Sequence, residues 1–254
     1  MSKERRARAS VASPAAAPCS SPPLEPNTHP ARRGTFLASG IIVLAALIVY
    51  HNSFTGSFIT EDHIAITDNP SIRQWGNALF PPSNSTVGGR PLLNLTFSLN
   101  YFLGGMNPWG YHAFNLLVHM LAGLTLFGLV RRTLLKPPLP KRFGVVALPL
   151  ALAIAVIWVV HPLQTEAVTF ISQRAESLMG LFYLLTLYCF VRSVESQEPC
   201  GALSTDSTGS PPAGSEHPAP KGTACRERRT KAGVGWLLAS IFSCLFGVMS
   251  KEII

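Results

Sequence analysis

The chain has 254 residues, of which 13% are charged and 47% hydrophobic, with a net charge of +8 and a positive mean hydropathy. Charge at about half the ~25% usual for soluble domains excludes an ordinary soluble surface, and long apolar runs exclude disorder throughout. Five cysteines make no disulfide scaffold, so the expected fold class is all-α: a polytopic helical membrane protein with about five transmembrane helices and interfacial helices in its first outer loop.

Residues 1–33 form a basic tail, and the Ala, Ser and Pro of 9–30 predict disorder, since they bury too little apolar surface to offset ordering entropy. Gly34–Tyr50 is uncharged and reads as the first span. Some 33 residues precede it and no small-residue cleavage pattern follows it, so it is expected to be an uncleaved signal anchor.

The segment 51–110 is too long for a structureless connection in a compact protein. Thr60-Glu61-Asp62-His63 sets two carboxylates beside an imidazole. Asp68-Asn69-Pro70 predicts a helix start, with Asn69 as N-cap and Pro70 at the first helical position. That short helix should run through Ser71–Phe80 and stop at Pro81-Pro82. Val87-Gly88-Gly89-Arg90-Pro91 is a turn presenting one arginine. Pro91–Gly105 is apolar but short for a span, which predicts an interfacial or re-entrant helix.

Four more spans are expected, at 111–130, 143–160, 175–191 and 233–250. The second carries a stripe of His112, Asn115 and His119, which should face other helices; packing hydrogen bonds are the commoner reason for such a stripe, a metal or proton role the rarer one. Between spans three and four lie His161 and Glu166. A continuous helix there would put Glu166, Phe170, Gln173 and Arg174 on one face, with Glu176 and Ser177 at the mouth of the fourth span. Charge at membrane depth marks a functional-site candidate, against the plainer reading of a Glu–Arg pair pinning a helix end. Residues 195–232 read as a disordered loop, its Arg226-Glu227-Arg228-Arg229 a flank that sets topology.

Lys and Arg settle the expected orientation. Alternate segments, beginning with 1–33, hold 17 of them; the others hold four, Arg73, Arg90, Arg174 and Lys251. By the positive-inside rule the N-terminus is cytoplasmic and segments 51–110, 161–174 and the C-terminal residues lie on the far side. Cys19, Cys200 and Cys225 then face a reducing compartment, Cys189 and Cys244 fall within spans, and no disulfide is expected. No zinc spacing, Walker motif, dinucleotide glycine fingerprint or nucleophile elbow occurs, and the basic runs serve topology, so no nucleic-acid partner is expected.

The motifs Phe58-Ile59-Thr60-Glu61-Asp62-His63-Ile64-Ala65-Ile66, Gly89-Arg90-Pro91-Leu92, His112-Ala113-Phe114-Asn115, His161-Pro162-Leu163-Gln164-Thr165-Glu166-Ala167-Val168, Arg174-Ala175-Glu176 and Ser250-Lys251-Glu252, in this order, resemble the amino-terminal membrane region of transmembrane-and-tetratricopeptide-repeat proteins. Their tenor is closer to bacterial relatives, and so to a bacterial inner membrane, than to the animal O-mannosyltransferases. The resemblance implies a GT-C glycosyltransferase architecture, with a polyprenyl-phosphate-linked sugar as donor, membrane lipid around it, and a protein or glycan acceptor on the outer side. The family places a carboxylate pair in the first outer loop, here Glu61-Asp62 where many relatives have two aspartates. The family also continues into further spans and repeat helices, so the chain is expected to be an amino-terminal fragment.

Such transfer needs a base for the acceptor hydroxyl and cations for the leaving phosphate. Asp62 is the first candidate for the base and Glu61 the second; Arg90, Arg174 and Lys251 are candidates for the phosphate, and Glu166, Glu176 and His161 for orienting them. A divalent metal is compatible with the acidic pair, but the residues assign none. A transporter and a non-catalytic membrane scaffold are the competing readings; transport fits less well because the polar groups gather at the outer ends.

Overall fold

The computed structural model describes residues 29–82, 85–136, 139–197 and 222–251. The described residues are helical or irregular, and four helices among them are long and apolar enough to cross a membrane, within Arg33–Thr55, Pro108–Leu134, Arg174–Gln197 and Lys231–Ser250. The architecture is that of an all-α, polytopic integral membrane protein. The disorder expected of 9–28 and 198–221, together with Cys19 and Cys200, lies outside the described residues.

The helices are α1 (His29–Tyr50), α2 (Thr60–Asp62), α3 (Pro91–Gly104), α4 (Pro108–Leu134), α5 (Pro140–Phe143), α6 (Ala147–Val159), α7 (Gln164–Thr169), α8 (Arg174–Gln197) and α9 (Gly222–Ser250). The expected span 143–160 is helical over only 13 residues, Ala147–Val159. That is about 20 Å of rise against a hydrocarbon core of ~30 Å. α8 and α9 run further toward the basic end than their apolar stretches, so 192–197 and 222–232 are helical and not loop. Arg132, on α4, explains part of this extension: its Nη1 pairs with Glu195 at 2.9 Å and its Nε donates to the Tyr188 hydroxyl.

Helix directions follow from the contacts. The start of α4 meets the start of α8, where Arg174 donates to the Tyr111 carbonyl, and their ends meet at Arg132–Glu195, so the two run parallel. α9 returns antiparallel to α8 on a ladder of serines: Ser193 donates to Gly233 O, Ser240 to Thr186 O and Ser243 to Phe182 O. Short hydroxyls let the backbones approach while satisfying themselves on the facing helix.

α1 and α6 pack through matching ridges of four-residue period. Ala38, Ile42, Ala46 and Tyr50 on one and Ala147, Ala151, Ala155 and Val159 on the other are all buried. Gly123 of α4 closes this junction: a Cβ there would fall within the Val159 side chain and 3.5 Å from Ile42 Cγ2. Tyr50 locks the far end by donating to the Val159 carbonyl.

The segment between α1 and α4 is folded over its described residues. Asn69 caps as expected, its Oδ1 accepting from Ser71 N with Pro70 at the first position, but the result is a single 3₁₀ turn, Pro70–Arg73, and not a helix through Phe80. The reason is a polar knot that takes over the local hydrogen bonding. Asn94 Oδ1 accepts from Asn69 Nδ2, and Asn94 Nδ2 donates to Ser71 Oγ and the Ala78 carbonyl. Trp75 then stacks on Phe102 at 4.7 Å. The apolar segment after Arg90 is α3, started by Pro91 and stopped at Gly105, whose φ of 62° favours glycine.

Candidate active site around Arg174

Arg174 is the centre of the far end. Its side chain is completely buried, and its guanidinium is caged: Nε donates to Asn115 Oδ1 at 2.6 Å, Nη1 to Asn100 Oδ1 at 2.7 Å and Thr96 Oγ1 at 3.3 Å, Nη2 to the Tyr111 carbonyl at 3.0 Å. The rings of Phe97 and Phe114 stand 4.6 and 4.5 Å from its central carbon. A planar fork with five donors suits such a cage better than an ammonium would. The cage comes from α3, α4 and α8, so one charge ties three elements together.

The expected pairing of Arg174 with Glu166 does not occur. The helix breaks between them: Phe170 is extended, at φ −83° and ψ 124°, so α7 ends at Thr169 and α8 begins at Arg174. The break is held from a distance. Asn115 Nδ2 donates to the carbonyls of Val168 and Phe170, and Ser172 N donates to Asp62 Oδ1 at 2.8 Å. Glu166 is left exposed. Arg174, expected as a phosphate partner, gives four of its five N–H groups to protein acceptors.

The acidic pair divides. Asp62 is 1% exposed. Its Oδ1 takes the Ser172 amide and its Oδ2 the Ile59 amide at 3.2 Å, while Arg174 and His112 both lie within Coulombic range. Glu61, one residue earlier on α2, is exposed and has no hydrogen-bond partner among the described residues. A general base must reach the proton it takes, and of this pair Glu61 is the exposed carboxylate.

The remaining candidates separate similarly. Arg90 is half-buried, with one long bond from Nη1 to the Thr86 carbonyl at 3.4 Å and a buried Nε that has no partner among the described residues. Lys251 and Glu176, 75 residues apart, form an ion pair at 2.6 Å. His161 is exposed; its Nδ1 accepts from Leu163 N within its own turn and makes no hydrogen bond to the cage. Among the described residues no three His, Cys, Asp or Glu side chains gather in a way that could hold a metal ion.

The stripe on α4 does pack inward. Asn115 serves the cage, and His119 Nε2 bonds the Val159 carbonyl at 3.0 Å. His112 lies against the backbone of Gly56, its Nε2 3.0 Å from where a Cβ of that residue would stand, and neither ring nitrogen has a hydrogen-bond partner among the described residues. Sequence reasoning missed Thr96, Asn100 and Ser172. Two of them had a signal: polar residues on the apolar helix that follows Arg90.

Three relatives bear on this site. The human protein O-mannosyl-transferase TMTC1 is 34% identical over 197 residues, 71% of this chain and 21% of the relative. The Drosophila melanogaster protein O-mannosyl-transferase Tmtc1 is 35% identical over 60% of the chain and 18% of its own length, and the human protein O-mannosyl-transferase TMTC4 is 29% identical over 67% and 25%. The chain therefore spans about a fifth of the length of the curated relatives it matches. All three are animal proteins, and none bears on the bacterial leaning expected from the sequence. No family model matches the chain, and no solved structure does.

Proposed function

We propose that the chain is the amino-terminal membrane part of a glycosyltransferase of GT-C architecture, akin to the transmembrane-and-tetratricopeptide-repeat proteins. It transfers a sugar, mannose in the first instance, from a polyprenyl-phosphate carrier to an acceptor hydroxyl. The observation that carries this reading is the 2.8 Å bond from Ser172 N to Asp62 Oδ1, across 110 residues, beside the caged Arg174. That bond and the cage of Arg174 together join the first outer loop, α3, α4 and the loop before α8, segments that hold family-like motifs. The O-mannosyl-transferases it resembles supply the reaction class.

In this reading the N-terminus is cytoplasmic, and the site lies on the far side of whichever membrane holds the protein. Glu61 accepts the proton of the acceptor hydroxyl as its oxygen bonds to the anomeric carbon and the bond to the phosphate breaks. Asp62 acts through position: held by two amides, it fixes α2 against the loop before α8, so that Glu61 stays aimed outward. Arg90 and Lys251 hold the phosphate, since both keep N–H groups uncommitted. Arg174 holds the platform and touches no substrate.

The test is transfer from a prenyl-phosphate-linked sugar by membranes carrying the chain, alone and within any longer form of it. Glu61→Gln is expected to cut the rate about 10²- to 10⁴-fold, the usual range for a positioned base, with donor binding unchanged. Asp62→Asn should lower rate and thermal stability together, because one of its two amide partners would face an NH₂ group. Full transfer in both variants would remove the acidic pair from the mechanism.

A further inference from the structure

A cavity of about 480 Å³ runs along the seam of α8 and α9, apart from the cage. Its walls are one face of each helix. Met179, Phe182, Tyr183 and Thr186 are spaced three, four and seven residues along α8; Cys244, Gly247 and Val248 on α9, and Lys251 just past its end, are spaced three, four and seven. Because the helices are antiparallel, these faces line a straight groove, about 10 Å long at 1.5 Å per residue. Its wall is apolar for nearly all that length, and at one end stands the ammonium of Lys251, held by Glu176. One of the three N–H groups of Lys251 goes to Glu176, leaving two. Lys251 lies at the same end of the bundle as Arg174, since Glu176 is two residues along α8.

We infer that this groove takes the first isoprenoid units of a prenyl phosphate, with the phosphate on Lys251. The inference rests on the donor reading above and adds the place where the donor's lipid lies. Charge complementarity selects the occupant. A neutral acyl chain or an apolar helix would use the walls and leave the ammonium without an anion, whereas a lipid with one charged head uses both. The volume is that of a small-ligand site, lined by apolar groups with a single orienting charge.

Cys244 lines the groove and is exposed, whereas Cys189, the other cysteine described in full, is buried. The native thiol therefore reports occupancy. In lipid nanodiscs, alkylation of Cys244 by a small permeant thiol reagent would be followed by mass spectrometry during titration with farnesyl phosphate. Protection of Cys244 is expected, with farnesol or inorganic phosphate at least tenfold weaker. Lys251→Met should raise the half-protecting concentration roughly tenfold or more, the worth of a charge-assisted hydrogen bond. Glu176→Gln keeps an oxygen toward Lys251 but removes a negative charge beside the phosphate, so it should lower that concentration. Equal protection by farnesol, or no effect of Lys251→Met, would overturn phosphate recognition here. A Cys244 that is unreactive without ligand once downstream sequence is present would show the groove covered by protein, which also overturns it. If protection fails while sugar transfer proceeds, the groove is wrong and the donor reading stands; if neither is seen, the donor reading falls with it.

Discussion

Replacing Arg174 by alanine separates a structural from a ligand-binding arginine. The guanidinium makes four hydrogen bonds, to Asn115, Asn100, Thr96 and the Tyr111 carbonyl. Each is worth about 1.5–3 kcal/mol for a charged donor, but much of that sum is offset by the cost of taking the cation out of water. The loss on truncation comes from what remains: three or four buried acceptors without a donor, and a void between Phe97 and Phe114. Each buried acceptor left unsatisfied costs about 1–3 kcal/mol, so the truncation removes a large part of the 5–15 kcal/mol that holds a domain together. Arg174→Lys keeps the charge but reaches fewer acceptors, and should fall between. Unfolding by heat in a fixed detergent, followed by tryptophan fluorescence, should rank native above Arg174→Lys above Arg174→Ala. An Arg174→Ala protein with the native midpoint that fails only to bind farnesyl phosphate would refute the cage and return Arg174 to the donor.

Gly123→Ala should destabilise by about 1–3 kcal/mol, the usual cost of overpacking, because its Cβ meets Val159 at the junction of α1, α4 and α6; unfolding in the same detergent measures it, and a native midpoint would show that the junction yields. For topology, cysteines introduced at Thr169 and Ser210 should react with an impermeant thiol reagent from opposite sides of sealed vesicles. Labelling of both from one side would overturn the alternating orientation.

The elements that were legible were those written in a local pattern. Four of the five expected spans are long apolar helices, legible as uninterrupted apolar runs; the Asn69 cap follows from the residue pair Asn69-Pro70, and the inward stripe on α4 from the spacing of His112, Asn115 and His119. The site was legible as a set of residues but not as an arrangement. The helical spacing of Glu166 and Arg174 predicted a pair, yet Asn115, 53 and 55 residues from the carbonyls of Val168 and Phe170, stabilises the break that parts them. Glu61 and Asp62 are chemically near-equal neighbours, and the amides of Ile59 and of the distant Ser172 hold Asp62 as the one that turns inward. Long-range hydrogen bonds of this kind leave no periodic trace.

The cage around Arg174 has a consequence for how the protein is made. Thr96, Asn100, Tyr111 and Asn115 all precede Arg174 in the chain, by 78, 74, 63 and 59 residues. During synthesis α3 and α4 are therefore available before the arginine leaves the ribosome, and Asp62, which fastens the loop just ahead of it, is older still. The incoming helix carries its charge to acceptors already in place, so at no stage must the insertion machinery hold a bare guanidinium in lipid while waiting for a later segment. A permuted gene that encoded α8 before α3 would reverse that order and expose the charge for the time taken to translate the rest.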